Sequence, residues 1–189
     1  YEYGTDPVIN YSYSGWARPI SSVNIDADDI LKTKGNTYNW ATMKNVNNDG
    51  YTFYATGFST TENEYVFVYK SVNFKITQRA LTVTFKNDSK TYNGVAYNPN
   101  ASNWADIQAK YTVAGLVYGE TLATLTANFT ATEIKDVLEG NYSVKHNSLT
   151  INSASTHGTT KVNANNAHLN NYSITAVAGT YTIHPIKVH

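Results

Sequence analysis

A two-residue rhythm constrains this chain more than any other feature. Apolar and polar side chains alternate over short runs, and each run ends in a turn signal. Alternation of period two sends successive side chains to opposite faces of a strand, and it gives a helix no continuous apolar stripe to bury. The runs are VINYSYSG (8–15), YVFVYKSVNFKIT (65–77), LTVTF (81–85), KYTVAGL (110–116), LATLTANFT (122–130), SLTI (148–151), YSITAVAG (172–179) and TYTI (180–183). All are rich in the β-branched and aromatic residues that suit a pleated surface. NNDG (47–50), KNDSK (86–90), YNG (92–94) and STHG (155–158) read as turns between them. The predicted fold class is mainly β.

Helix signals are sparse. The strongest covers TEIKDVLEG (132–140), where Thr132 can cap the N-terminus, Ile134, Val137 and Leu138 share a face, and Gly140 stands where a left-handed cap would end the helix. DADDILKTKG (26–35) has acids at its start and lysines near its end. NWADIQAK (103–110) is long enough for a turn or two. One short helix on a small mixed sheet gives a β-grasp-like arrangement.

Internal repetition divides the chain. NFKIT (73–77) and TYTIH (180–184) both read aromatic-x-Ile-polar, and each is followed after one or two residues by a new apolar alternation. NYSYSGW (10–16) parallels KYTVAGL (110–116), and a tyrosine–glycine turn precedes each, in YGTDP (3–7) and TYNG (91–94). The chain therefore reads as two tandem small β modules, 1–77 and 78–189, β-grasp-like with at most one short helix each. PIKVH (185–189) is the stub of a following element, and module one lacks a strand before its Tyr-Gly turn. Junctions this short make a semi-rigid rod.

Composition narrows the function classes. Acidic and basic residues balance at 14 each, and the only arginines are Arg18 and Arg79, which argues against nucleic-acid binding. Charged residues make up 15%, against roughly 25% in an ordinary soluble domain, so Tyr, Thr, Asn and Ser carry the polarity. The chain has no cysteine, which removes disulfides, thiolate metal sites and a Cys nucleophile. No apolar run approaches the roughly 20 residues of a membrane helix, so no membrane insertion is expected.

No catalytic or cofactor-binding constellation emerges. Asp26, Asp28 and Asp29 form a weak candidate Ca²⁺ site, against the alternative of a helix N-terminus that favours acids. The EF-hand spacing fails there. His146, His157, His168, His184 and His189 are too widely spaced for a zinc site, and no G-x-S-x-G elbow occurs. The chain is expected to be non-enzymatic, with no metal and no cofactor.

Aromatic surface is the remaining candidate for binding. Sixteen tyrosines and three tryptophans stand among many Asn and Thr residues, a composition suited to sugars. In NYSYSGWAR (10–18), Tyr11 and Tyr13 share one strand face, and Arg18 offers a planar fork to a sugar carboxylate or sulfate. Trp40 and Trp104, next to Asn39 and Asn103, are further candidate ligand contacts. The competing role for all these rings is core packing in thin modules. Trp16 aligns with Leu116 and reads as core.

LTVTFKNDSKTYNG, YTVAGLVYGE, NNYSITAVAGTYTI and the junction ITQRALTV resemble the MBG or YDG-type β modules of bacterial surface proteins. EIKDVLEGNYSV is similar to the short helix and Asn-Tyr of the mucus-binding (Mub/MucBP) repeats of lactobacilli, and DGYTFYATGFSTTENEYVFVYK (49–70) looks like the closing hairpin of a MucBP module. Gln78 and Arg79 replace the usual Pro-Ala, and Asn93 interrupts the Tyr-Gly pair. The resemblance implies an exported, cell-wall-attached protein of a Gram-positive bacterium, monomeric and part of a longer repeat array. Its partners would be mucin-type glycans or host glycoproteins, held weakly per module and strongly by multivalent display. A passive stalk, or an accessory polymer-binding region of a secreted polysaccharide-processing enzyme, are the alternatives.

Overall fold

The computed structural model of the chain describes residues 1–5, 12, 14–15, 17, 25–27, 31–33, 36–37, 45–55, 58–60, 63–131, 133–153 and 169–189. Among these the fold is mainly β, with one α-helix. The chain forms two compact units, Tyr1–Thr77 and Gln78–His189.

The first unit contains β1 (Ile25–Ala27), β2 (Leu31–Thr33), β3 (Asn36–Thr37), β4 (Asn47–Ala55), β5 (Phe58–Thr60) and β6 (Ser71–Ile76). Four of these make an antiparallel sheet in the order β3-β2-β4-β6, and β1 pairs with β5. The helix expected over 26–35 does not form where the chain is described: Asp26 is in β1, and Leu31 and Lys32 pair with Ala55 and Tyr54. Pairing with a strand over twenty residues away outweighs a short helix pattern that has no tertiary face of its own. NNDG is not a turn between elements but the irregular start of β4, where the register shifts between Asn47 and Tyr51. There the Asn47 side chain accepts from the Asp49 N–H (3.0 Å), and Gly50 takes a left-handed φ of 78°.

Residues 1–3 run parallel to the end of β6. The Thr77 N–H donates to Tyr1 O (2.8 Å) and the Tyr3 N–H to Thr77 O (2.9 Å). Tyr3 and Ile76 are buried, and the Phe74 ring meets those of Tyr1 and Tyr51. Of the strand expected over 65–77, only Ser71–Ile76 joins the sheet. The strand expected over 8–15 lies outside the described residues, apart from Ser12, Ser14 and Gly15, which are not in a strand.

The second unit contains β7 (Arg79–Phe85), β8 (Asp88–Thr91), α1 (Trp104–Lys110), β9 (Tyr111–Ala114), β10 (Glu120–Phe129), β11 (Tyr142–Ser153), a 3-10 turn (Leu169–Asn171), β12 (Tyr172–Val177) and β13 (Gly179–His184). They form two mixed sheets, β10-β11-β13-β8 and β12-β7-β9. β7 pairs in parallel with β12, and β8 in parallel with β13. Tyr172 stands opposite Arg79 and Tyr181 opposite Asp88, the same offset of 93 residues on both sides of the bend. The two parallel pairs thus keep one offset on either side of the bend between Phe85 and Asp88. KNDSK, expected as a turn, supplies this bend and most of β8, and Asn87 steadies it by accepting from the Thr180 N–H (2.9 Å).

Leu81, Val83 and Phe85 from β7 are buried with Leu122, Leu125, Val144, Leu149, Ile151 and Ile183 of the other sheet. The inward residues change parity between Val144 and Leu149, and between Leu122 and Leu125. Each change is accommodated by a register shift in the β10·β11 pair, at Asn147 and at Ala123.

The helix expected over 132–140 is absent from its described residues. Ile134 is buried, but in an extended bridge to Tyr97, whose N–H donates to Ile134 O (2.7 Å). Val137 and Leu138 are exposed, so the three apolar residues never share a buried face. The helix that does form is α1, from NWADIQAK. Asn103 caps it, accepting from the Asp106 N–H (3.0 Å), with Asp106 in its first turn and Lys110 in its last, as the helix dipole favours. Ile107 is its buried anchor.

Candidate functional site

Tyr11, Tyr13, Arg18, Trp40, Asp28 and Asp29 lie outside the described residues. Asp26 is in β1 opposite Ser59, so the helix-terminus account of the acidic run does not hold at that residue. Trp104 is the one candidate contact whose surroundings are described. It opens α1 directly after the Asn103 cap and is only partly buried. Ser102 and Asn103 beside it both bond the Asp106 carboxylate, at 3.2 and 2.9 Å. Trp104 therefore stands at a capped helix end, directly after residues that carry hydroxyl and amide groups. Among the described residues no group of three or more His, Asp or Glu side chains converges on a metal-sized space, and no helix is long and apolar enough to cross a membrane.

The second unit also holds a polar cluster that sequence reasoning missed. Glu120, the first residue of β10, is only 5% exposed. Its carboxylate accepts a short hydrogen bond from the Tyr172 hydroxyl, which in turn accepts from the Val117 N–H (3.2 Å). Arg79 Nε–H donates to Gly115 O (3.1 Å), and the Gln78 side-chain amide donates to Asn170 O (3.0 Å). The loop 115–119 is thereby tied to the starts of β7 and β12. It needs three left-handed residues, Gly115 (φ 110°), Tyr118 (φ 56°) and Gly119 (φ 71°). A Cβ on Gly115 would sit 2.1 Å from Ala80 O, so no other residue fits there.

These residues come from YTVAGLVYGE, ITQRALTV and NNYSITAVAG, three of the stretches that carry the resemblance. Their roles in this chain are to build the fold. Gln78 and Arg79, the departures from Pro-Ala, join the same fastening. Asn93, the other departure, accepts from the Val95 N–H (3.1 Å) in a local turn that leads into left-handed Gly94. One signal for the cluster was legible: an acid at the head of an apolar strand, directly after Tyr-Gly.

A second group of rings packs around Tyr97. It stacks on Tyr181 with centroids 3.8 Å apart, and Lys110 Nζ lies 5.6 Å from its ring. Lys110 Nζ also donates to Asn98 O (2.8 Å) and Asn100 O (2.7 Å), so the last residue of α1 fastens the loop before it. Burial lowers the Lys110 pKa, with Asp106 opposing the shift. The His146 pKa is also lowered, by burial and then by Lys145.

Burial pushes the phenols of Tyr97, Tyr111 and Tyr172 well above the usual tyrosine range; Tyr181 and Asp88 add to this at Tyr97, Tyr97 adds to it at Tyr111, and the Glu120 contact adds to it at Tyr172. An acid whose folded pKa is raised contributes stability that is complete below the unfolded value and is lost as pH rises above it. Stability of the second unit should therefore decline progressively once pH passes about 10. Urea unfolding followed from neutral pH to about pH 11 checks this, and a midpoint that stays constant over that range would contradict it.

Comparison with protein-family models, with curated proteins and with solved structures gave no match.

Proposed function

We propose that this chain is a non-enzymatic repeat region of a bacterial cell-surface adhesin that binds mucin-type glycans or host glycoproteins. The observation that carries this reading is the division of labour between its polar and aromatic residues. The motif residues Arg79, Gly115, Glu120 and Tyr172 are absorbed in building the fold. Trp104 opens a capped helix and is only partly buried. An indole face stacks on the C–H side of a sugar ring, and the neighbouring amides and hydroxyls suit the sugar's own hydroxyl groups. Tyr11, Tyr13, Arg18 and Trp40 are proposed as further contacts. The β-grasp-like module and attachment to the cell wall are part of the same proposal.

Trp104→Ala should weaken retention on immobilised mucin by about tenfold, on the order of 1.4 kcal/mol. It should leave the thermal midpoint of the second unit close to the parent's. Retention unchanged in this variant would remove Trp104 from the binding surface. The same burial of motif residues also suits a passive stalk, which needs a firm fold and no ligand. Absence of mucin binding by the parent chain would favour that second reading.

A further inference from the structure

The Tyr-Gly turn of the second unit carries chemistry that the fold does not use. Asn93 and Gly94 are the only Asn-Gly pair in the chain, and both are exposed, just after β8. An Asn side chain followed by Gly is placed for attack by its own backbone. The nitrogen of the next residue reaches the side-chain carbonyl carbon through a five-membered ring, and a residue without a Cβ leaves that approach open. Gly94 has a φ of 71°, and a Cβ there would meet nothing within 4 Å.

Two donors converge on the Asn93 side-chain oxygen. The Val95 N–H donates to Oδ1 at 3.1 Å and Lys90 Nζ at 3.2 Å. Lys90 is held in place by a second, short bond from its ammonium to Val95 O. Both donors need an acceptor, so the atom they share is the oxygen of the amide and not its nitrogen. As the carbonyl carbon is attacked, negative charge collects on this oxygen, and donors already in place there lower the barrier. The Asn93 amide nitrogen is the leaving group and the Gly94 N–H the nucleophile. Neither donates to any group among the described residues.

We propose that Asn93–Gly94 is a self-modification site, at which the side-chain amide is lost and a carboxylate takes its place. The Gly94 nitrogen bonds to the Asn93 side-chain carbonyl carbon, the bond from that carbon to Nδ2 breaks, and ammonia leaves with the Gly94 proton. Water then opens the cyclic imide to aspartate or isoaspartate. Aspartate keeps the backbone and gives Lys90 a charged partner. Isoaspartate adds a carbon to the backbone between Tyr92, whose N–H donates to His184 O at the end of the β8·β13 pair, and Tyr97, whose N–H donates to Ile134 O. The turn is thus a slow, one-way charge switch that needs no second protein, and it is independent of glycan binding.

The chain's one Asp-Gly pair shows what the fold does where it closes this route. Asp49 and Gly50 can form the same ring. There, however, a Cβ on Gly50 would run into the Asn73 amide and the Phe74 carbonyl oxygen. The Asp49 N–H donates to Asn47 Oδ1 (3.0 Å), and its carbonyl accepts from the Asn73 amide (3.3 Å). This pair is held on both sides at the start of β4.

The test is storage of the full chain at neutral and mildly alkaline pH, folded and in concentrated urea, followed by peptide mapping that separates Asn, Asp and isoaspartate at position 93. The folded chain should lose the Asn93 amide at least as fast as the unfolded one, and the intact protein should gain one negative charge on ion exchange. Asn93→Gln should remove that change. Lys90→Met should slow the folded reaction by about threefold or more, well short of what such donors achieve in closed active sites, and leave the rate in urea unchanged. Asp49, read in the same digests, should be protected by folding. Slower loss of the Asn93 amide in the folded chain than in urea would overturn the proposal, and this comparison needs no variant to fold. A folded Lys90→Met chain that reacts at the parent's rate would overturn it as well.

Discussion

Gly179→Ala should cripple the second unit. Gly179 begins β13 at the bend between the two parallel pairs, β7·β12 and β8·β13. A Cβ there would lie 2.3 Å from the Phe85 carbonyl oxygen and 2.6 Å from its ring. Neither neighbour can yield cheaply. The oxygen is backbone, and the Phe85 ring is buried against Tyr111 with centroids 5.2 Å apart. Overpacking of this kind, with a shift of strand backbone, costs about 3 kcal/mol or more. For a domain of this size that lowers the thermal midpoint by roughly 10 °C or more. The matched control is Gly140→Ala, whose Cβ meets nothing within 4 Å and which should stay within about 0.5 kcal/mol of the parent. Similar midpoints for the two variants would show that the bend is not close-packed.

Tyr172→Phe should produce the next largest loss. The phenol is both donor to the Glu120 carboxylate and acceptor from the Val117 N–H. Its removal withdraws a charge-assisted hydrogen bond from a carboxylate that is almost wholly buried, at a cost of about 2–3 kcal/mol. Glu120→Leu alone should also destabilise, since the phenol loses its acceptor. The double variant should recover part of the combined loss, because two apolar groups no longer hold an unmet polar one between them. Chemical unfolding of the four proteins yields the coupling energy, expected at about 1 kcal/mol or more. Additive losses would show that the two side chains act separately and that the loop 115–119 is held by other contacts.

The strands were legible because period two is a local signal. LTVTF, KYTVAGL, LATLTANFT, SLTI and TYTI all fall within strands or directly at their ends. The helices were not, and the better pattern lost. Residues 132–140 have a cap, an apolar face and a glycine, but Ile134 is drawn into a bridge with Tyr97 some forty residues away. NWADIQAK has a weaker pattern and forms α1, because Asn103 caps it and Ile107 finds a buried position. KNDSK read as a turn from its composition alone. Only the parallel partner β13 makes a strand of its second half. The polar cluster at Glu120 was illegible for a similar reason: Glu120 and Tyr172 are joined by folding across 52 residues. Surface rings are ambiguous in a sequence, since the residues that stack on sugars also fill thin cores.

Adhesion through glycans is the central claim, and the most direct test is retention of the full chain on immobilised mucin before and after enzymatic removal of the mucin's sugars. Saturable retention that disappears with the sugars is the predicted result. Retention that persists on the stripped protein, or none at any concentration, would contradict it.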